Sequence, residues 1–389
     1  MATSKDYNLR YALEMSGQIQ AGSADLYGGS SYPVTGAGDQ VRLETAEIDD
    51  VPEQYIDEST NGSMYDNNEE VVAVLPKFSL TSKFWGMGIN KLLLACFGYE
   101  DLSAPDVYDT TKYAHLYSLD ADGQDQRVYT AAEIVLASAN ADFSPAYATG
   151  DYINRDFSLA IEQGPGDVKA HNCRVKEFSI KANSKEPVMI EASGNGEIIV
   201  RDTGKSESAN WTQAASAFDG AFFLRHCTAK FGALGGLAAV SLFNFEVKIS
   251  HGQADEQITT GTSNSGKSRS EPPSTGKTAV EVSFQVNKHD ANTSKTLEQA
   301  GTVCAMSLDF TRGTDRMIIL LPHLQVDEAK EEITDGSLIN MKCKGFLPTG
   351  TDPFTTERSI SGSAQTLLYT TPVYLVLGNK DDANALRAG

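Results

Sequence analysis

Hydrophobic and polar residues alternate one by one over several segments of the chain after residue 150. A period of two is typical of a β-strand with one face buried and the other in water. The segments that show it are 157–161, 243–249, 280–286, 304–310 and 339–343. Alternation over so many separate segments predicts a set of half-buried antiparallel strands.

One segment has the spacing of a helix instead. In GINKLLLACFG the apolar residues Ile89, Leu92, Leu93 and Cys96 fall at i, i+3, i+4 and i+7, and Gly98 stands where a helix-ending glycine is expected. This pattern predicts a helix over about residues 88–98 that lies against a sheet. Because long helical segments are nearly absent elsewhere, we predict a mainly β fold, an antiparallel sandwich or barrel.

Periodicity also suggests how the chain is divided. The first 70 residues are rich in Gly, Ser, Asp and Tyr and lack a regular period, whereas VVAVLPKFSL, from Val71, predicts a strand. A weak echo relates VKEFSIKANSKEPVMIEASGNG, from Val175, to LFNFEVKISHG, from Leu242, which continues after an insertion into TAVEVSFQVNKHD. We therefore predict an N-terminal arm of extended loops, two related β domains and a C-terminal extension, over residues 1–70, 71–210, 211–350 and 351–389.

Composition narrows the classes of function. With 32 Lys and Arg against 52 Asp and Glu, the formal charge is 32 − 52 = −20, which disfavours a protein that grips phosphate backbones. No stretch approaches about 18 consecutive apolar residues, so no transmembrane helix is predicted. The charged beginning MATSKDYNLRYALEM lacks the apolar core of an export signal, and synthesis in the cytoplasm is expected.

The residues that most often carry chemistry show no site pattern. The five cysteines are odd in number, far apart and without a CxxC pair, which predicts buried reduced thiols; they are Cys96, Cys173, Cys227, Cys304 and Cys343. The six histidines have no HxH or HExxH spacing; they are His115, His171, His226, His251, His289 and His323. We predict no catalytic residue, no metal and no cofactor.

One formal motif match is interpreted as chance. The segment GTSNSGKS fits the phosphate-loop pattern through Gly261, Gly266, Lys267 and Ser268. Such a loop needs a buried strand before it and a helix after it, but Pro272 and Pro273 oppose a helix. We predict instead a long polar loop over residues 252–277, which is a candidate surface for contacts between subunits.

Four stretches carry a family resemblance. They are IDDVPEQYIDESTNGSMY, then KFSLTSKFWGMGINKLLLACFG, then HNCRVKEFSIKANSKEPVMIEASGNGEI, and finally MIILLPHLQVDEAKEEITDGSLINMKCKGFLPTG together with the earlier FNFEVKIS. Through them the chain resembles phage tail tube proteins in which an N-terminal arm precedes two tube-type β domains. The resemblance covers most of residues 40–350.

The resemblance implies a structural virion protein and no enzyme. It implies β-barrel or sandwich domains with a flanking helix, and rings that stack into a hollow tail tube for DNA passage during ejection. Two tube-type domains in a chain imply trimeric rings that mimic hexamers, with rings of six chains as the alternative. The implied partners are further copies of the chain, tape-measure, terminator and baseplate proteins and, in a contractile tail, a sheath, but no membrane; DNA passes without specific binding.

The residues add two independent arguments for self-assembly. Neighbouring copies can cover the exposed edges of long antiparallel strands, and a net acidic wall repels DNA and lets it slide. The candidate polar residues of the lumen or of the contacts between subunits are Glu246, Glu281, Gln285 and Asp309. Another β-rich virion component, such as a tail terminator, a baseplate-hub ring or a surface adhesin, is the alternative function.

Overall fold

The predicted strands pair with one another in a computed structural model of the chain. The structure describes residues 11–15, 40–41, 43–56, 69–85, 89–103, 113–119, 157–163, 166–196, 198–202, 220–252, 277–287, 294–313, 315–331, 338–347, 354 and 371–379. Within these ranges every pairing between named strands is antiparallel, and the helices are two short α-helices and the 3-10 helix Leu224–His226. The prediction of a mainly β fold is confirmed.

The elements follow one another in this order. The first part of the chain contains β1 (Tyr11–Met15), β2 (Gln40–Val41), β3 (Thr45–Ile56), β4 (Glu69–Lys83), α1 (Asn90–Phe97), β5 (Gly98–Ser103), β6 (Tyr113–Leu119), β7 (Phe157–Gln163), β8 (Gly166–Asn183), β9 (Met189–Asn195) and β10 (Ile198–Asp202). The second part contains β11 (Cys227–Ala233), β12 (Ala238–Val240), β13 (Leu242–Ser250), β14 (Ala279–Asn287), α2 (Ser294–Ala300), β15 (Val303–Arg312), β16 (Asp315–Glu331), β17 (Leu338–Gly345) and β18 (Tyr374–Asn379).

Helix α1 lies where the apolar stripe predicted it. The four stripe residues are fully buried in the main core; they are Ile89, Leu92, Leu93 and Cys96. The helix contacts β1, β5, β6 and β8, so its buried face meets the sheet as expected. Gly98, however, is the first residue of β5 and pairs with Leu119, because the chain passes from the helix directly into a strand.

Two of the alternating segments differ from the prediction in their burial. In β13, Phe245 and the alternate residues after it are buried, but Phe243 is 40% exposed. The register with β14 shifts between Leu242 and Asn244, and this irregularity moves the Phe243 side chain off the buried face. In β15 both faces are buried, because a second apolar cluster covers the side opposite the main core; its members are Ala305, Ile318, Leu320, Phe354 and Tyr374.

The strand pairings of the first part of the chain recur in the second part. The pairs β1–β2, β1–β7, β3–β4, β4–β9, β7–β8, β8–β9 and β8–β10 correspond to β11–β12, β11–β15, β13–β14, β14–β17, β15–β16, β16–β17 and β16–β18. Helix α1 follows β4, as α2 follows β14. We name β1–β10 the first repeat and β11–β18 the second repeat; β5 and β6 are additions to the first.

The repeats also share an irregularity in their longest strands. The register of β8 with β9 shifts between Val175 and Glu177, and that of β16 with β17 shifts between Val326 and Glu328. Bulges bend a strand at a defined point, so their coincidence aligns the two repeats residue by residue. The first repeat includes β3, inside the predicted arm, and the second includes β18, inside the predicted C-terminal extension.

The two repeats are joined edge to edge. Strand β8 of the first repeat pairs with β13 of the second from Glu177↔Ser250 to Asn183↔Asn244, and we name this ladder the internal seam. The sequence echo had related β8–β9 to β13–β14, but these hairpins are neighbours across the seam; the counterpart of β13–β14 is β3–β4. Alternating patterns resemble one another whatever their place in the fold, which explains the mistaken equivalence.

Candidate self-assembly surface

The internal seam lies in the middle of an eight-stranded sheet. Its order is β3-β4-β9-β8-β13-β14-β17-β16, with four strands from each repeat. One face carries the apolar residues of the main core, such as Phe178, Val247 and Val282. The intervening residues form the opposite side, which we name the polar face. This face is the candidate surface for self-assembly or for a lumen.

Three of the four predicted polar residues lie on the polar face. Gln285 stands opposite Asn244 on one side and Asn340 on the other. Its Nε2 donates a hydrogen bond to Oδ1 of Asn340 at 3.1 Å, and Nδ2 of Asn244 donates to its Oε1 at 3.4 Å. The amides therefore form a ladder across β13, β14 and β17, which ties the three strands together on the side away from the core.

The two predicted glutamates stand among lysines. Glu281 lies opposite Lys248 and Lys344, and Glu246 lies opposite Lys181 across the internal seam. Opposite charges that face each other on neighbouring strands attract. The described part of the polar face therefore carries both charges, so the predicted net acidic wall would contain lysines among its carboxylates.

Four lysines of this surface form ion pairs with carboxylates. The pairs and their N···O distances are Lys181–Glu191 at 2.6 Å, Lys248–Glu177 at 3.1 Å, Lys342–Glu328 at 3.2 Å and Lys344–Asp327 at 3.2 Å. All four are exposed to water, so each contributes little to stability. A phosphate that approached one of these lysines would have to compete with the carboxylate beside it.

Asp309 is not brought together with the other three candidates. It lies on β15, where its carboxylate accepts two hydrogen bonds from Arg316, from Nε at 3.1 Å and from Nη2 at 2.7 Å. This two-point geometry holds both side chains in place at the end of the β15–β16 hairpin, whose turn contains Gly313 with a φ of +61°. Arg316 was not predicted as a partner of Asp309, although opposite charges on both sides of the short DFTRGTDR turn indicate such a pair.

The cysteines agree with the prediction of buried reduced thiols. All five are free, and all except the half-buried Cys227 are fully buried. Burial raises the pKa of the Cys304 thiol to about 11. For Cys227, burial, followed by the negative charge of Asp309, raises the pKa to about 12. Both thiols are thus protonated and unreactive near neutral pH.

The buried histidines have structural contacts. Nε2 of His251 donates to the backbone oxygen of Cys96 at 2.9 Å and so links the end of β13 to α1. Nε2 of His115 lies 3.3 Å from Nδ2 of Asn90, the first residue of α1. Over the part of the chain that the structure describes, no cluster of His, Cys, Asp and Glu is arranged to hold a metal ion. In the same ranges no helix has the length and apolarity to cross a membrane.

The phosphate-loop match lies outside the described residues. Gly261, Gly266, Lys267 and Ser268 all belong to the loop that was predicted over residues 252–277. On either side of that loop, Ser250 of β13 and Ala279 of β14 stand opposite each other in an antiparallel ladder. The next described element is thus a strand that returns along its predecessor, whereas a phosphate loop leads into a helix. The interpretation as a polar connecting loop stays a prediction.

The internal seam holds the two repeats together by contacts on both of its sides. On its polar side, Nζ of Lys248 lies 3.1 Å from a carboxylate oxygen of Glu177 in the other repeat. On its apolar side, Val247 and Ile180 stand opposite each other, and both are buried. The seam thus combines a backbone ladder, a row of buried apolar residues and an ion pair.

No protein-family model matches this chain, and a search of the curated proteins found no match either.

Proposed function

We propose that this protein is a structural virion component that assembles with copies of itself into stacked rings, and that these rings form the tube of a phage tail. The observation that carries the proposal is the internal seam, where two topologically equivalent β units join through a continuous ladder. A head-to-tail contact of this kind, repeated between chains, closes into a ring when the rotation per unit divides a full turn.

The strand count of the sheet favours rings of three chains. Each chain contributes eight strands to the sheet, so three chains would supply 3 × 8 = 24 and six would supply 48. At about 4.8 Å between strands, 24 strands have a circumference of about 115 Å and a diameter of about 37 Å before tilt. Closed barrels of about 16–18 strands already enclose an aqueous channel. Three chains are therefore enough for a wide bore.

The polar face suits the wall of such a bore. A closed sheet with its apolar face covered by α1 and the outer strands presents the other face to the channel. The four lysines paired with carboxylates have little attraction for phosphates, and the net charge of −20 repels DNA at longer range. Both properties favour passage of a duplex over retention.

Electron microscopy tests the proposal directly. We expect negatively stained preparations of the purified protein to show hollow rings or tubes, and native mass spectrometry to give three chains per ring. In virions the chain should be present in many copies, whereas a tail terminator or baseplate hub is present in few. A protein that stays monomeric at all concentrations, or that forms a shell lattice, would contradict the proposal.

The substitution Glu281→Lys tests which face lines the bore. It places a third lysine between Lys248 and Lys344, whose carboxylate partners Glu177 and Asp327 are unchanged, and so adds a cation with no carboxylate opposite it on the polar face. We expect assembled protein to bind linear duplex DNA about tenfold more tightly than wild type at about 50 mM salt, and to lose that gain by about 200 mM. Co-sedimentation with labelled duplex measures it.

The matched control is Glu298→Lys, which changes the net charge by the same amount on α2, a helix whose Leu297 packs in the main core on the other side of the sheet. We expect this variant to bind the duplex no better than wild type does. A stronger effect of Glu298→Lys than of Glu281→Lys would place the other side of the sheet on the bore.

A further inference from the structure

The eight-stranded sheet ends in two strand edges that lack a partner among the described residues. Strand β3 pairs with β4 along one edge, and no described strand pairs with its other edge. Strand β16 pairs with β17 up to Glu331, but its pairing with β15 on the opposite side stops at Gln325. Among the described residues, no strand pairs with β16 from Val326 to Glu331 on the side away from β17, although α2 contacts β16. Strand edges without a paired strand are ready templates for another strand.

The internal repeat identifies what each edge fits. Strand β3 of the first repeat is the counterpart of β13, and β16 of the second repeat is the counterpart of β8. Inside the chain, β13 and β8 pair with each other. We propose that β3 of one copy pairs with β16 of the next copy in the arrangement of the internal seam. This inference rests on the proposed function and names the contact through which the rings close.

The shared bulge sets the register of the contact. One row of directly opposite residues crosses each repeat, and the two rows are Glu177, Ser193, Ser79 and Glu47 in the first repeat and Glu328, Lys342, Ser283 and Glu246 in the second. From this alignment Asp49 is the counterpart of Lys248, and Lys330 is that of Ser179. Because Lys248 stands opposite Ser179 in the seam, Asp49 of one copy stands opposite Lys330 of the next.

Charge and burial at the two edges agree with this register. Asp49 and Lys330 are both exposed and carry opposite charges, and such a pair directly opposite each other stabilises antiparallel strands. On the apolar side, Ile48 is only half-buried, whereas its counterpart Val247 is fully buried in the seam. A further strand beside β3 would complete the burial of this row. Among the described residues, neither edge has the second neighbouring strand that the seam supplies in the middle of the sheet.

Charge exchange in the full-length protein tests the contact. We expect Asp49→Lys alone, and Lys330→Asp alone, to raise the protein concentration needed for half-maximal assembly by about fivefold or more, since each places like charges opposite each other. Asp49→Lys also places a like charge opposite Lys77 of β4 in its own chain, which the second substitution does not relieve. The double variant Asp49→Lys with Lys330→Asp should therefore assemble better than either single variant and return to within about threefold of wild type. Analytical ultracentrifugation measures assembly, and circular dichroism confirms that each variant is folded. Single variants without effect, or a double variant that is not restored, would overturn the proposal.

Cross-linking gives a second measurement that does not depend on the charges. We expect the variant with both Asp49→Cys and Lys330→Cys to form covalent oligomers under mild oxidation, because directly opposite residues lie with Cβ atoms about 5 Å apart. The native thiols give little background, since four of the five are buried. The control pairs Asp49→Cys with Lys342→Cys, one strand further from the contact. If the wild-type protein forms rings but the test variant forms no cross-links, this contact is refuted and the tube proposal stands. If the wild-type protein forms no rings, both proposals are refuted.

Discussion

Leu93→Asp is expected to leave the protein unfolded or aggregated at ordinary temperatures. Leu93 is fully buried in the main core, on the face of α1 that packs against the sheet. Removing a buried leucine side chain costs about 2–5 kcal/mol, and a carboxylate without a partner in that position adds a desolvation penalty. The total exceeds about 5 kcal/mol, which is comparable to the whole stability of many domains.

Urea denaturation followed by circular dichroism, at one protein concentration, measures the loss. Leu234→Asp is the matched control, because it introduces the same side chain at a leucine that is 43% exposed. We expect the control to unfold within about 0.5 kcal/mol of wild type. A soluble, folded Leu93→Asp protein with a transition near that of the control would contradict the position of α1 in the core.

Gly194→Ala is expected to destabilise the protein by about 1–3 kcal/mol or more, although it adds only one methyl group. A Cβ at this position would clash with the backbone oxygen of Arg174 and would lie 2.7 Å from Cζ of Phe78 and 2.9 Å from the carbonyl carbon of Arg174. Gly194 pairs with Val175 beside the bulge of β8, so the backbone cannot move away without breaking the ladder. The rigid obstacle makes this glycine necessary.

Gly236→Ala is the matched control for this prediction. A Cβ there would meet only the backbone oxygen of Ala233, at 3.8 Å, which is an ordinary contact. We expect its urea midpoint to stay near that of wild type while the midpoint of Gly194→Ala falls, with similar slopes for all three proteins. Equal midpoints for the two variants would show that β8 and β9 can separate at no cost, against the observed close approach.

Where a strand or helix buries one face against the core and exposes the other, its sequence pattern was sufficient to predict which residues are buried. The alternate residues from Val280 to Val286 are buried in β14, and the stripe around Leu93 is buried in α1. The pattern failed where a neighbour changed the local environment. Phe243 is exposed because the register with β14 shifts beside it, and β15 is buried on both faces because a second cluster covers it.

For the candidate surface, the sequence predicted the polar residues but not most of their charged neighbours. Alternation correctly placed Glu246 and Glu281 on the same polar face, because both occupy positions of their strands that point away from the core. Their lysine neighbours were not predictable, since Lys181 and Lys344 lie on strands far away in the chain. The contact of Asp309 with Arg316 lies within one hairpin and could have been inferred from local spacing alone.

The sequence by itself determined that the alternating segments become strands and, apart from Phe243 and β15, which of their residues face the core, since a period of two encodes a face locally. Only the tertiary structure decided which strands are neighbours, and with that the two repeats, the internal seam between β8 and β13, and the edges of β3 and β16 that no described strand pairs with. The physical reason is that every half-buried strand has the same period, whereas its partner is selected by long-range register, bulges and packing of the shared core.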